Sequence, residues 1–179
     1  YASSAVAPVN AGTYKASASY SGDANHDGSS DSKNFTIDKA ASVTLVTING
    51  GPFIYPGSAI EPATVSVTGA GGLNETPAAA YVNNINVGTA TASYTYAGDA
   101  NHYGSNDSED FAIGKASTTT TAVATNATYD GNQHGATASV TGDGGLSESL
   151  TVTYEGGAPT GYASSAVAPV NAGTYKASA

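Results

Sequence analysis

Apolar and polar residues alternate with a period of two over most of the chain. Between 13 and 20, Tyr14, Ala16, Ala18 and Tyr20 share one face, and Thr13, Lys15, Ser17 and Ser19 the other. Phe35 and Ile37 alternate with Asn34, Thr36 and Asp38, and Leu150, Val152 and Tyr154 alternate with Thr151 and Thr153. This period belongs to strands that bury one face and wet the other, and no segment carries a 3.6-residue pattern. Ser21-Gly22-Asp23, Gly71-Gly72 and Gly144-Gly145 punctuate the strands at roughly the 8–12-residue spacing of a β-sandwich. The predicted fold class is therefore all-β, built from antiparallel sheets. Alanine and valine fill many inward positions, so thin cores are expected. A module of about 80 residues buries only ~60–65% of its chain surface, and neighbouring modules are expected to add stability by stacking.

The chain repeats itself. Tyr1 to Ala18 (YASSAVAPVNAGTYKASA) recurs letter for letter at Tyr162 to Ala179, an offset of 161. Tyr20 to Ala40 matches Tyr96 to Ala116 at an offset of 76, with 14 of 21 positions identical. Ala63–Gly69 (ATVSVTG) matches Ala136–Gly142 (ATASVTG), and Tyr55-Pro56-Gly57 and Tyr129-Asp130-Gly131 precede them as versions of one turn. Periods of this kind mark an array of equivalent units. The predicted organisation is the C-terminal part of a module in residues 1–39, a complete module in 40–115, and the N-terminal part of the next in 116–179. The last is expected to be completed by the 19–39 segment of the following repeat.

Composition narrows the class. Five basic residues stand against 14 acidic ones, for a net charge of −9. Neither nucleic acid nor an anionic membrane is an expected partner, since both need a basic face. No run of 18 apolar residues predicts membrane insertion. Cysteine is absent, so each module must be held by its core alone. Few charges among abundant Ser, Thr, Asn, Gly and Ala fit an extracellular or cell-surface repeat protein better than a cytosolic enzyme.

The segment Asn10-Ala11-Gly12-Thr13-Tyr14-Lys15-Ala16 resembles the tyrosine corner of immunoglobulin folds, with Ala16 where antibody domains place a cysteine. With Tyr20-Ser21-Gly22-Asp23-Ala24-Asn25 it is similar to bacterial immunoglobulin-like repeats of large adhesins and surface proteins. Tyr129-Asp130-Gly131 likewise resembles the YDG/MBG-type repeats of such proteins, and the likeness covers essentially the whole chain. The resemblance implies tandem immunoglobulin-like β-sandwich modules, with β-grasp-like modules as the alternative. It implies a structural role in a fibre, stalk or sheath, assembled head to tail with neighbouring copies. The alternative role is an adhesin that binds a glycan or protein through loop tips. Tyr14 and its copy Tyr175 are expected to be buried corner residues whose hydroxyls bond backbone. In the 40–115 module Ala90 takes that place, so Tyr94 or Tyr96 is expected to close the corner instead.

Candidate chemistry is sparse. Asp23, Asn25, Asp27 and Asp31 carry oxygen ligands at alternate positions around Gly28, the first half of a calcium loop. The equivalent Asp99, Asn101, Tyr103 and Asp107 lack the central carboxylate, and neither loop has a Glu at the twelfth position. An Asx-rich turn that satisfies local N–H groups is the competing reading. His26 and His102 occupy equivalent loop positions and His134 follows the YDG turn; all three are expected at the surface. Lys39 and Lys115 recur at module junctions, where solvated linker lysines are expected rather than isopeptide crosslinks. Four Asn-x-Ser/Thr sequons begin at Asn34, Asn74, Asn106 and Asn126, about the number that composition alone gives. No Ser-His-Asp order, paired carboxylates or phosphate loop appears, so no enzymatic activity and no cofactor is expected.

Overall fold

The computed structural model describes residues 5–179; residues 1–4, the start of the predicted 1–39 segment, lie outside it. The described chain is nearly all β. Its helical turns are two three-residue 3-10 turns, Ala70–Gly72 and Asp143–Gly145. By proximity the residues fall into two units. One takes the chain up to Gly51 with Glu61–Val82 and Ala90–Phe111; the other takes Pro52–Ile60, Asn83–Thr89 and Ala112–Ala179. These groups do not coincide with the sequence periods, but the strand ladders repeat with them.

In the first unit, β1 (Gly12–Tyr20) and β2 (Ser29–Ile37) form an antiparallel hairpin, from Gly12 opposite Ile37 to Tyr20 opposite Ser29. Both predicted strands form, but neither buries a face: only Tyr14, Ser32 and Ile37 are half-buried and the rest is exposed. β3 (Ser42–Ile48) pairs with β5 (Ala63–Gly69), which also pairs with β6 (Asn74–Glu75). A further sheet runs in the order β4 (Phe53–Ile54), β9 (Ser105–Gly114), β8 (Gly88–Tyr96), β7 (Ala80–Val82). β4 lies parallel to the end of β9, and β8 and β9 run through both units. The first unit's buried apolar residues are Val46, Val65, Val67, Ala90, Ala92, Tyr96 and Phe111. Two valines are the largest fully buried side chains, so the core is as thin as its small residues predict.

In the second unit, β10 (Thr118–Val123), β11 (Thr137–Gly142) and β12 (Leu146–Leu150) form one sheet, and β13 (Thr153–Gly156) pairs with β14 (Tyr175–Ser178). The predicted continuous strand through Leu150, Val152 and Tyr154 is therefore divided. The chain leaves one sheet after Leu150 and joins another at Thr153, while Val152 and Tyr154 stay buried. Both residues join Ala138 in one cluster, with Leu150, Tyr162 and Ala177 packed against it.

The registers repeat. Ser42 faces Gly69 as Thr118 faces Gly142, and Val67 faces Glu75 as Val140 faces Glu148. Tyr81 faces Ala92 as Tyr154 faces Ala177. Because a one-residue slip would turn each strand inside out, matching registers mean matching inward faces.

Candidate functional site

Three Asx turns share one construction. Asp23 accepts the N–H of Asn25 at 2.8 Å, Asp99 that of Asn101 at 2.7 Å, and Asp130 that of Asn132 at 2.9 Å. In each, a histidine three or four residues on turns a ring nitrogen to the same carboxylate: His26 at 2.9 Å, His102 at 2.9 Å and His134 at 3.0 Å. In the first two turns the chain doubles back so tightly that a Cβ on Gly22 or Gly98 would lie 2.8 Å from the carbonyl oxygen of His26 or His102. Both glycines also have φ above 80°, a conformation that L side chains rarely adopt.

Of the candidate calcium ligands Asp23, Asn25, Asp27 and Asp31, two have carboxylates engaged by neighbouring groups. The Asp23 carboxylate is engaged by the Tyr20 hydroxyl at 2.7 Å, by the Asn25 N–H and by His26. Those bonds, the tyrosine's first, lower its pKa to about 2. Asp31 accepts the N–H of Ser32 and lies 3.6 Å from the Lys33 ammonium. Among the described residues no group of three or more His, Cys, Asp or Glu is gathered to hold a metal ion.

His102 differs from the surface residue expected, for it is buried. Its Nδ1 lies 2.9 Å from Asp99 and its Nε2 lies 2.8 Å from the carbonyl oxygen of Ala70, in the 3-10 turn after β5. A carboxylate and a carbonyl can only accept, so the ring satisfies both partners at once only as an imidazolium. The Asp99 bond, then the Ala70 bond, raise the His102 pKa against the opposing effect of burial. The His102 contact in turn is the main cause holding the Asp99 carboxyl well below the usual carboxylate range.

Polar side chains also stitch β3 to β9. The Ser42 hydroxyl donates to the Tyr103 carbonyl at 2.7 Å, and Ser105 lies 2.8 Å from Ser42 and 2.7 Å from Thr44. The Val46 N–H donates to the Asp107 carboxylate at 2.8 Å. Asp107 is thus an acceptor for β3, the edge strand of its own sheet. Sequence reasoning missed it, because its partner lies 61 residues away. The recurrence of Ser-x-Asp at 29–31 and 105–107 was the available signal.

Tyr14 donates to the carbonyl of Asn10 at 2.8 Å, and Tyr175 to that of Asn171 at 2.8 Å. The hydroxyls bond backbone four residues upstream, as a corner tyrosine does. Both side chains are half-buried rather than buried. Ala90 leaves the corner of the 40–115 segment without a tyrosine; the Ala63 N–H on β5 there donates to the Tyr81 hydroxyl on β7 at 2.8 Å, a bond that the second unit makes through Tyr154 in addition to its corner tyrosine. Tyr94 and Tyr96 were the expected substitutes; Tyr96 is buried, and it is Tyr81 that makes the bond across.

The second unit holds an open groove of about 410 Å³ between the segment around 124–129 and the start of β14. Ala127, Tyr129, His134, Tyr154, Asn171 and Tyr175 are among its walls. The Asp130–His134 turn stands at its margin. Comparison of the chain with protein families, with curated proteins and with solved structures finds no match.

Proposed function

We propose that the chain is a structural repeat of an extracellular or cell-surface fibre, stalk or sheath. Its modules are immunoglobulin-like β-sandwiches joined head to tail, and it carries no enzymatic activity. The observation that carries this reading is the repetition of one set of contacts in two parts of the chain. Tyr81 on β7 takes the N–H of Ala63, and Tyr154 on β13 takes that of Ala136 at 2.9 Å. The sheet registers around both are the same. A scaffold that reproduces its frame and varies its loops fits a spacer or fibre unit, in which packing between units is the mechanism.

Two features support the sandwich assignment. The order β4-β9-β8-β7, with one short parallel strand beside an otherwise antiparallel sheet, accompanies a separate β3-β5-β6 sheet. Direct bonds at Ser105, Asp107 and Tyr81 tie strands of the one to strands of the other. The link between successive modules has a chemistry of its own. The Ala11 N–H, at the corner before β1, donates to the Asn101 side chain at 2.8 Å, and Lys39 Nζ donates to the Asp99 carbonyl at 2.6 Å. The loop that organises one module therefore also receives the segment before it. The net charge of −9 keeps such an array soluble outside the cell.

Negative-stain electron microscopy of the purified chain at rising concentration tests this reading. Filaments or strings of beads are expected. Dispersed particles that stay single and instead retain a glycan or protein on an affinity matrix would favour the adhesin role.

A further inference from the structure

Lys39 and Ala40 join the β1–β2 hairpin to β3, and the loop 99–103, after β8, holds that joint from several sides. The Ala40 N–H donates to the Asn101 carbonyl at 2.8 Å, and the Tyr103 N–H donates to the Ala40 carbonyl at 2.9 Å. Lys39 Nζ donates to the Asp99 carbonyl at 2.6 Å. The corner before β1 is tied to the same loop. There the Ala11 N–H donates to the Asn101 side chain at 2.8 Å, and Asn101 Nδ2 to the Asn10 side chain at 3.2 Å. Whatever positions this loop therefore positions the joint.

The loop has two anchors. Its own Asp99 carboxylate accepts the N–H groups of Asn101 and His102 at 2.7 and 2.6 Å. The other anchor is the buried His102 ring, set between Asp99 at 2.9 Å and the Ala70 carbonyl at 2.8 Å. A neutral ring keeps one N–H for two acceptors. The negative carboxylate holds it more strongly than a carbonyl does, so the Ala70 bond is the one lost. The Nε2 lone pair then faces the carbonyl oxygen. The ring packs on Gly69, where an added Cβ would lie 3.0 Å from its Cδ2, so it cannot turn aside on that face. Relief comes from the loop moving off the turn that follows β5.

Other charged or titratable groups surround the ring. The Tyr96 hydroxyl on β8 bonds the Asp99 carboxylate, the Glu75 charge on β6 acts on Tyr96, and Lys39 sits on the Asp99 carbonyl. Among these side-chain types the imidazole is the one that changes charge near neutral pH. The Asp99 bond, then the Ala70 bond, raise its pKa, so the change falls on the alkaline side of ~6.5.

We propose that the 99–103 loop is a proton-operated latch on the Lys39–Ala40 joint: the protonated His102 ring holds it shut, and the neutral ring releases it. Release frees Lys39, the Ala40 backbone and the Ala11 N–H together, and the hairpin then moves independently of the strands that follow. The latch lies within one chain, so it works whether or not copies assemble into a fibre.

A lysine-specific endoprotease reads the joint. Lys39–Ala40 and Lys115–Ala116 are both cleavable, and the second is a reference within the same chain. The ratio of the two cuts cancels the protease's own response to pH. Loss of one charge-assisted bond should raise that ratio about tenfold between about pH 6 and about pH 9. His102→Gln removes the titrating group and should hold the ratio constant over the range. His26→Gln, in the exposed equivalent turn, should behave as the unmodified chain does. The midpoint of the rise should coincide with the titration of the His102 ring followed by NMR, a readout that needs no substitution. A ratio that ignores pH in the unmodified chain, a rise that survives in His102→Gln or vanishes in His26→Gln, or a midpoint apart from the ring's titration would overturn the latch.

Discussion

The hydroxyl of Tyr154 accepts the N–H of Ala136 across 18 residues of chain at 2.9 Å. Tyr81 and Ala63 have the same relationship at the same separation. Each bond crosses from a short strand of one sheet to the start of the middle strand of another, and each tyrosine faces an alanine on the strand beside it. One device therefore recurs in both units. Tyr81→Phe and Tyr154→Phe each remove the acceptor while leaving the ring. Each should cost about 1–2 kcal/mol, the range for an N–H left without its partner in a half-buried site. Urea titration of each variant checks this, and unequal losses would show that the two sites are not equivalent.

The corner tyrosines should matter less. Tyr14 and Tyr175 donate to Asn10 and Asn171, but both are only half-buried, so water can replace the lost bond. Phenylalanine at either position should cost no more than ~1 kcal/mol, read as a shift in the urea midpoint.

The Asp99–His102 clasp gives stability a dependence on pH. The His102 pKa is raised on folding, so its contribution is fully present below the unfolded value near ~6.5 and is lost as pH rises through the folded value. Asp99 is shifted down, so its contribution is present above the unfolded carboxylate value near ~3.9 and is lost as pH falls through the folded one. The melting temperature should hold between about pH 4.5 and 6.5 and fall on the alkaline side. His102→Gln should be less stable in that window and lose the alkaline fall. A pH profile unchanged by the substitution would contradict the clasp.

Calcium should not stabilise the 23–31 loop. The Asp23 carboxylate already holds Tyr20, the Asn25 N–H and His26, and a cation would have to displace them. Calorimetry in millimolar calcium and in chelator should give the same melting temperature. A higher value in calcium would restore Asp23, Asn25 and Asp27 as ligands.

Much of this was legible in the residues. The alternation at Tyr14–Tyr20 and Phe35–Ile37 marked the two strands, while their pairing with each other came only from the structure. The offsets of 76 and 161 gave the equivalences that relate Ser29 to Ser105 and Tyr175 to Tyr14. The break between Leu150 and Thr153 was not legible. Alternation continues through the crossing from one sheet to the other, since Val152 and Tyr154 remain buried on either side of it. His102 was read as a surface residue because its turn is polar. Its burial follows from the Ala70 carbonyl, 32 residues away, and no local pattern encodes such a partner. The aspartates of the loops were visible as turn formers and as possible ligands. Only the positions of Tyr20 and His26 decide what the Asp23 carboxylate holds.

The measurement that tests the account most directly is sedimentation velocity of the unmodified chain over a hundredfold range of concentration. A head-to-tail contact that never closes on itself predicts an average mass that climbs from 17.5 kDa through successive multiples without a plateau. A mass fixed at 17.5 kDa throughout, or one that stops at a closed dimer, would contradict an open head-to-tail array.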